Sequence, residues 1–153
     1  MTARVRVLGL GNEILADDAL GLLAARELAK LFPPDEVEVV ESSESGLHLL
    51  DYVTNVSRLV VIDTVQTGRA APGTIFEVRE QDVRAAPGNS AHGTGLFDAL
   101  ALARNLGLPV PNEVVIVAVE AADCLTLGGP MHPAVAAALP CVVEQARAII
   151  AKL

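Results

Sequence analysis

Apolar positions along this chain fall into two rhythms. Short, nearly continuous runs rich in Val and Ile occur at Arg4–Gly9, Val37–Glu41, Arg58–Asp63 and Glu113–Glu120. Such runs predict buried strands, and the unbroken Leu59–Ile62 stretch is the form expected of a central parallel strand. Thr74–Arg79 alternates instead, which predicts a strand nearer an edge, after a turn at Pro72-Gly73. Between the runs lie Ala- and Leu-rich segments with helical spacing: Asp18–Phe32, a short one near Gly46–Val53, Thr94–Leu106 and Pro133–Lys152. Asp17 suits the first N-cap, Pro33-Pro34 stops that helix, and Pro140 predicts a break or kink in the last one. Pro87–Ser90 reads as a loop. No repeat, low-complexity tract or linker divides the chain, so residues 1–153 read as a single domain. The predicted class is α/β: one three-layer domain with an open, mostly parallel twisted sheet of about five strands and helices on both faces. Ligands in such sheets bind beyond the C-terminal ends of the strands, which here follow Gly9, Glu41, Asp63 and Glu120.

Composition narrows the function. Hydrophobic residues make up 52% and charged residues 20%, enough for a core, but aromatics are only 3%. That core is therefore one of Ala, Val, Leu and Ile. The net charge of −8 argues against nucleic acid and against an anionic membrane surface, both of which need a Lys/Arg footprint. No apolar run reaches the roughly 20 residues of a bilayer span, and Asn12, Glu13, Asp17 and Asp18 interrupt any leader-like start. Two cysteines, Cys124 and Cys141, are too few for a disulfide scaffold. These features give the expectation of a reduced, cytoplasmic protein without membrane insertion.

The candidate chemistry gathers at the predicted strand ends. Gly9-Leu10-Gly11 begins like a dinucleotide fingerprint, but Ile14 stands where the third glycine belongs, so the two glycines read as a sharp turn off the strand. Asp17 and Asp18 open the following helix, where acidic residues are common for dipole reasons alone. Asp63 is harder to explain blandly, since a carboxylate closing an apolar strand is costly unless it is paired or binds a cation. His92 precedes a helix. Two aspartates and an imidazole would form an open O,O,N set suited to zinc, nickel or manganese. His48 and His132 read as structural or solvated, Cys141 as core, and Cys124 as a weaker nucleophile candidate. Glu13 and Glu120 border the site or are surface charges. No Gly-x-Ser-x-Gly elbow, Walker loop, His-Glu-x-x-His or Cys-x-x-Cys is present.

Three pieces together resemble one family: Gly9-Leu10-Gly11-Asn12 with Leu15, Asp17-Asp18 and Gly21; Val60-Val61-Ile62-Asp63; and Ser90-Ala91-His92 with Gly95-Leu96. In order and spacing they are similar to the hydrogenase maturation endopeptidases, which process the large subunit of nickel–iron hydrogenases. The resemblance implies that Asp18, Asp63 and His92 are the catalytic, metal-contacting residues. It implies that the metal is nickel already seated in the precursor and not a resident cofactor. The partner it implies is the hydrogenase large-subunit precursor, from which a C-terminal extension is removed. One departure stands out: Glu41-Ser42-Ser43-Glu44-Ser45-Gly46 keeps only the last glycine of the Gly/Thr-rich turn usual after the second strand.

Two other readings remain open at this level. A receiver-like phosphoacceptor domain could use Asp17, Asp18 and Asp63 to hold magnesium, although Glu120-Ala121-Ala122 stands where its lysine is expected. A non-catalytic scaffold could bind the precursor without cutting it.

Overall fold

The computed structural model describes residues 5–80 and 93–153. Five strands form one sheet: β1 (Val5–Leu10), β2 (Val37–Ser42), β3 (Arg58–Val65), β4 (Ile75–Arg79) and β5 (Glu113–Glu120). Their order is β2-β1-β3-β5-β4, with every pairing parallel except the antiparallel β4–β5 edge. The helices are α1 (Leu20–Ala29), α2 (Gly93–Asn105) and α3 (Pro133–Lys152), with short 3-10 segments at Ala16–Ala19 and Gly46–Tyr52. The expected α/β class, with a mostly parallel sheet between helical layers, is the one observed. The predicted loop at Pro87–Ser90 lies outside the described residues.

Strand alternation divides the apolar residues between two cores. Val5, Val7, Val60, Ile62, Val115 and Val117 face α1 and α3. Leu8, Leu10, Leu59, Val61, Val114 and Ile116 face α2 and the 3-10 segment that carries Leu49. β3 and β5 have a strand on each side and a helical layer on each face, so their Val- and Ile-rich sequences are buried almost end to end.

Several boundaries differ from the sequence expectation. The first helix is shorter at both ends: residues 16–19 form a 3-10 turn, and α1 stops at Ala29, before Phe32. Pro140 does not break α3, which is one element of 20 residues. The proline removes a single N–H, while Val135, Ala138 and Val142 on either side stay buried against the sheet and α1. By length and composition α3 is also apolar enough to cross a bilayer. Here its apolar stripe is core, and Glu144 pairs with Arg147 on its outer side. Cys141, expected in the core, is exposed on that same helix.

Candidate active site

β3 continues two residues beyond Asp63, but its pairing with β1 ends at Gly9↔Ile62. Asp63 is therefore not the last residue of its strand, as the sequence suggested. It is the first residue of β3 beyond the pairing with β1, level with Leu10, the last residue of that strand, and it still pairs with Ala118 of β5 on the other side. This offset puts a carboxylate, only 2% exposed, at the C-terminal edge of an otherwise apolar sheet.

The loop from β1 brings a second carboxylate to the same place. Gly11 lies so close to this loop's far end that a Cβ there would stand 2.0 Å from the Asp18 carbonyl oxygen. At Gly21 a Cβ would meet the Leu10 oxygen at 2.1 Å and the Ile62 oxygen at 2.7 Å. Glycine is thus required by close backbone approach, and neither residue has a positive φ. The sequence expectation of a sharp conformational turn at Gly9 and Gly11 is corrected on this point. Backbone bonds from Asn12 to the Asp18 oxygen (3.1 Å) and from Asp18 to the Leu15 oxygen (2.7 Å) close the loop.

Asp17 and Asp18 are neighbours with different surroundings. The Asp17 side chain is fully buried and does not cap a helix. One of its oxygens accepts from the N–H groups of Ala122 and Asp123, both at 2.8 Å, and the other from the His132 N–H at 2.6 Å. Its own N–H donates to the Asp123 oxygen at 2.9 Å. Asp17 therefore ties the loop after β1 to the loop after β5. Asp18 turns to the sheet edge, where the Thr64 hydroxyl donates to its Oδ1 at 3.0 Å. The Thr64 N–H donates to Asp63 Oδ1 at 2.8 Å. One buried threonine thus engages both carboxylates and fixes their relative placement. Thr64 went unnoticed in the sequence because a β-branched residue in a strand calls for no comment.

Ala16, just before the pair, sits at φ 36°, in the left-handed region that disfavours L residues by about 1–2 kcal/mol. The four hydrogen bonds of Asp17 hold it there.

Cys124 enters from the loop after β5, with its Sγ 3.5 Å from the Thr64 hydroxyl. Burial, followed by the nearby charges of Asp18, Asp17 and Asp63, pushes its thiol up to about 11, against the lowering effect of the Thr64 hydrogen bond. A nucleophilic cysteine needs the opposite environment. The Cys124 nucleophile reading is accordingly rejected.

The remaining candidates have structural partners. His132 caps α3, its Nδ1 accepting from the Ala134 N–H at 3.1 Å. Glu120, 2% exposed, accepts from the Thr67 N–H at 2.9 Å and from the Thr67 hydroxyl. Glu13 and Glu41 both pair with Arg26 on α1, whose pKa they raise, first through hydrogen bonds and then through charge. That cluster fastens the end of β2 to the loop after β1. His48 lines a separate groove of about 500 Å³ with Arg6, Glu38, Glu44 and Asp51, on the β2 side of the sheet. His92 lies outside the described residues. Two residues further along α2 than its start at Gly93, Gly95 approaches the chain so closely that a Cβ would stand 2.3 Å from the Gly46 nitrogen. Among the described residues, no group of three His, Cys, Asp or Glu side chains is arranged to hold a metal.

The mostly parallel α/β sheet thus carries a buried Asp–Thr–Asp arrangement at its C-terminal edge. Residues 23–149 match the family model for hydrogenase maturation protease. Hydrogenase expression/formation protein HupM of Azotobacter chroococcum is 33% identical over 152 residues, covering 97% of this chain and 72% of that protein. The hydrogenase 2 maturation protease of Escherichia coli is 34% identical over 119 residues, covering 76% and 72%. Among solved structures, the hydrogenase maturating endopeptidase HybD of E. coli superposes with a TM-score of 0.83 at 30% identity, covering 97% of this chain and 93% of that one. HybD from Thermococcus kodakarensis gives a TM-score of 0.74 at 28% identity, covering 96% and 99%.

The chain belongs to the hydrogenase maturation protease family, and is an endopeptidase by that membership. The receiver-like alternative is not favoured: the matches lie elsewhere, and Glu120, where a receiver would need lysine, is occupied by Thr67.

Proposed function

We propose that this protein removes the C-terminal extension of a nickel-loaded hydrogenase large-subunit precursor, with Asp18, Asp63 and His92 facing the precursor's nickel. The observation that carries the proposal is the pair of nearly buried carboxylates joined through Thr64 at the edge where such folds bind ligands. Carboxylate oxygens with an imidazole suit a divalent first-row metal, and leave positions for ligands from the precursor. The nickel is part of the substrate. An empty precursor offers the enzyme's half-site nothing to bind, which gives a physical reason for cutting only after metal insertion.

The part of the chain's own residues is placement. Thr64 holds one oxygen of each aspartate, so the pair needs little reorganisation when the precursor arrives. Nickel in the bound precursor would supply Lewis acidity, or only the signal that metal insertion is complete. One aspartate can accept the proton of the attacking water as general base and return it to the amine that leaves when the C–N bond breaks. The two cysteines, both free thiols, are in keeping with a cytoplasmic setting.

The test is the intact mass of the nickel-loaded precursor from the same host, before and after addition of the enzyme. Loss of a C-terminal peptide, absent with nickel-free precursor, is the expected result. Asp63→Asn should stop that loss without unfolding the protein, because the amide oxygen still accepts from the Thr64 N–H. An active Asp63→Asn enzyme would overturn the site assignment. A folded wild type that binds loaded precursor but leaves its mass unchanged in a single turnover would be the non-catalytic scaffold.

A further inference from the structure

Three large apolar side chains stand in solvent beside the carboxylate edge: Leu125 at 82% exposed, Leu127 at 71% and Ile14 at 58%. They lie on two loops that are joined to each other. Leu15 and Leu127 form an isolated antiparallel bridge, and the Gly128 N–H donates to the Ile14 oxygen at 2.7 Å. The patch adjoins the site along the chain, because Leu125 follows Cys124, whose Sγ lies 3.5 Å from the Thr64 hydroxyl that donates to Asp18.

These side chains are not exposed because the loop is slack. The Asp123 carboxylate accepts from the N–H groups of Leu125 (2.8 Å) and Thr126 (3.1 Å) and from the Thr126 hydroxyl. Asp17 grips the Asp123 backbone in turn. A braced loop cannot fold its leucines inward, so the chain holds apolar surface in water at a fixed place next to its reacting edge. Exposed apolar side chains gathered on two joined loops of an acidic protein mark a contact, and a preorganised surface binds at lower ordering cost.

We propose that Ile14, Leu125 and Leu127 form the docking rim for an apolar, extended stretch of the precursor polypeptide next to the bond to be cut. This inference rests on the proposed endopeptidase activity for the identity of its occupant. It adds that specificity comes in part from apolar residues of the substrate chain, alongside its metal.

The test compares wild type with the double variant Leu125→Ser/Leu127→Ser in single-turnover processing of loaded precursor at rising enzyme concentration. Each buried leucine should contribute about tenfold or more to affinity. The half-saturating enzyme concentration should therefore rise about a hundredfold, with the maximal rate constant within about twofold of wild type. Binding to nickel-free precursor, followed by interferometry, should weaken in parallel and reads the rim independently of cleavage. Ile14→Ser serves as a second variant if the double one melts early; its backbone bond to Gly128 is unaffected.

Unchanged half-saturation and binding would overturn the inference, as would a fall in maximal rate alone. A wild type that binds precursor through these leucines but never cuts it would sustain the rim and overturn the proposed activity. Wild type that fails to bind precursor at all would overturn both. Concentration-dependent dimerisation in sedimentation, lost in the double variant, would assign the rim to a second copy of the chain and overturn the precursor as occupant.

Discussion

Asp17 and Asp18 are adjacent, alike in side chain and both buried, yet the structure gives them separate tasks that a pair of conservative substitutions can distinguish. In Asp17→Asn, the amide oxygen can keep two of the three N–H groups that the carboxylate now accepts from Ala122, Asp123 and His132. The amide NH2 must then face the third N–H, so one charge-assisted bond is lost and two donors confront each other in a fully buried place. Bonds to charged groups contribute about 1.5–3 kcal/mol and a buried unsatisfied donor costs about 1–3 kcal/mol. With partial relaxation, the expected loss is about 2–4 kcal/mol, a large part of the roughly 5–15 kcal/mol that a domain has. At about 2–4 °C per kcal/mol for a chain of this size, the melting temperature should fall by about 5–15 °C. Asp18→Asn retains an acceptor for the Thr64 hydroxyl and should cost less than Asp17→Asn. Its processing activity should nevertheless be lost. Urea unfolding followed by circular dichroism, with precursor processing in parallel, separates the two. Asp17→Asn within about 0.5 kcal/mol of wild type, or Asp18→Asn the more destabilised of the pair, would refute the division of labour.

Three further outcomes are expected. Thr64→Val should preserve the fold but lower the maximal processing rate at least tenfold with little change in half-saturation, since it removes the hydroxyl that places Asp18; an equal loss in both would make Thr64 merely structural. Gly11→Ala should destabilise by about 1–3 kcal/mol or more, because the new methyl would stand 2.0 Å from the Asp18 oxygen, which backbone movement alone can relieve; denaturant midpoints check it. Cys124 should react slowly with iodoacetamide at pH 7. Its thiol is held protonated up to about pH 11, so its alkylation rate should climb with each pH step well past the usual cysteine range. Fast labelling at neutral pH would contradict that environment.

The sequence made the sheet readable because β1, β3 and β5 carry apolar runs that only a doubly covered strand requires. Asp63 was legible for the same reason: one carboxylate interrupting Leu59–Val65 cannot be a surface accident. What local pattern could not supply was the difference between Asp17 and Asp18. That difference depends on Ala122, Asp123 and His132, more than a hundred residues away in sequence, and on backbone N–H groups that every residue has. The glycines of the opening loop likewise announced a special backbone without saying whether torsion or proximity was the constraint. Pro140 does not end α3 because its local cost is set against the burial of the helix along its length. Leu125 and Leu127 could not be singled out in a chain where apolar residues are the majority, since only tertiary structure shows which of them the core leaves behind.

The tether between Asp17 and His132 also orders events during synthesis. The carboxylate leaves the ribosome 115 residues before its last partner. At about 5–20 residues per second that gap is roughly 6–20 s. For nearly all of it, the loop after β1 has its local backbone bonds but not its ties to the loop after β5, while β1, α1, β2 and β3 are already available to pair. The β2-β1-β3 part of the sheet can therefore pair well ahead of this brace, whereas β5 emerges almost together with it. A nascent chain therefore lacks the brace that joins the loop after β1 to the loop after β5 until most of its own translation is over.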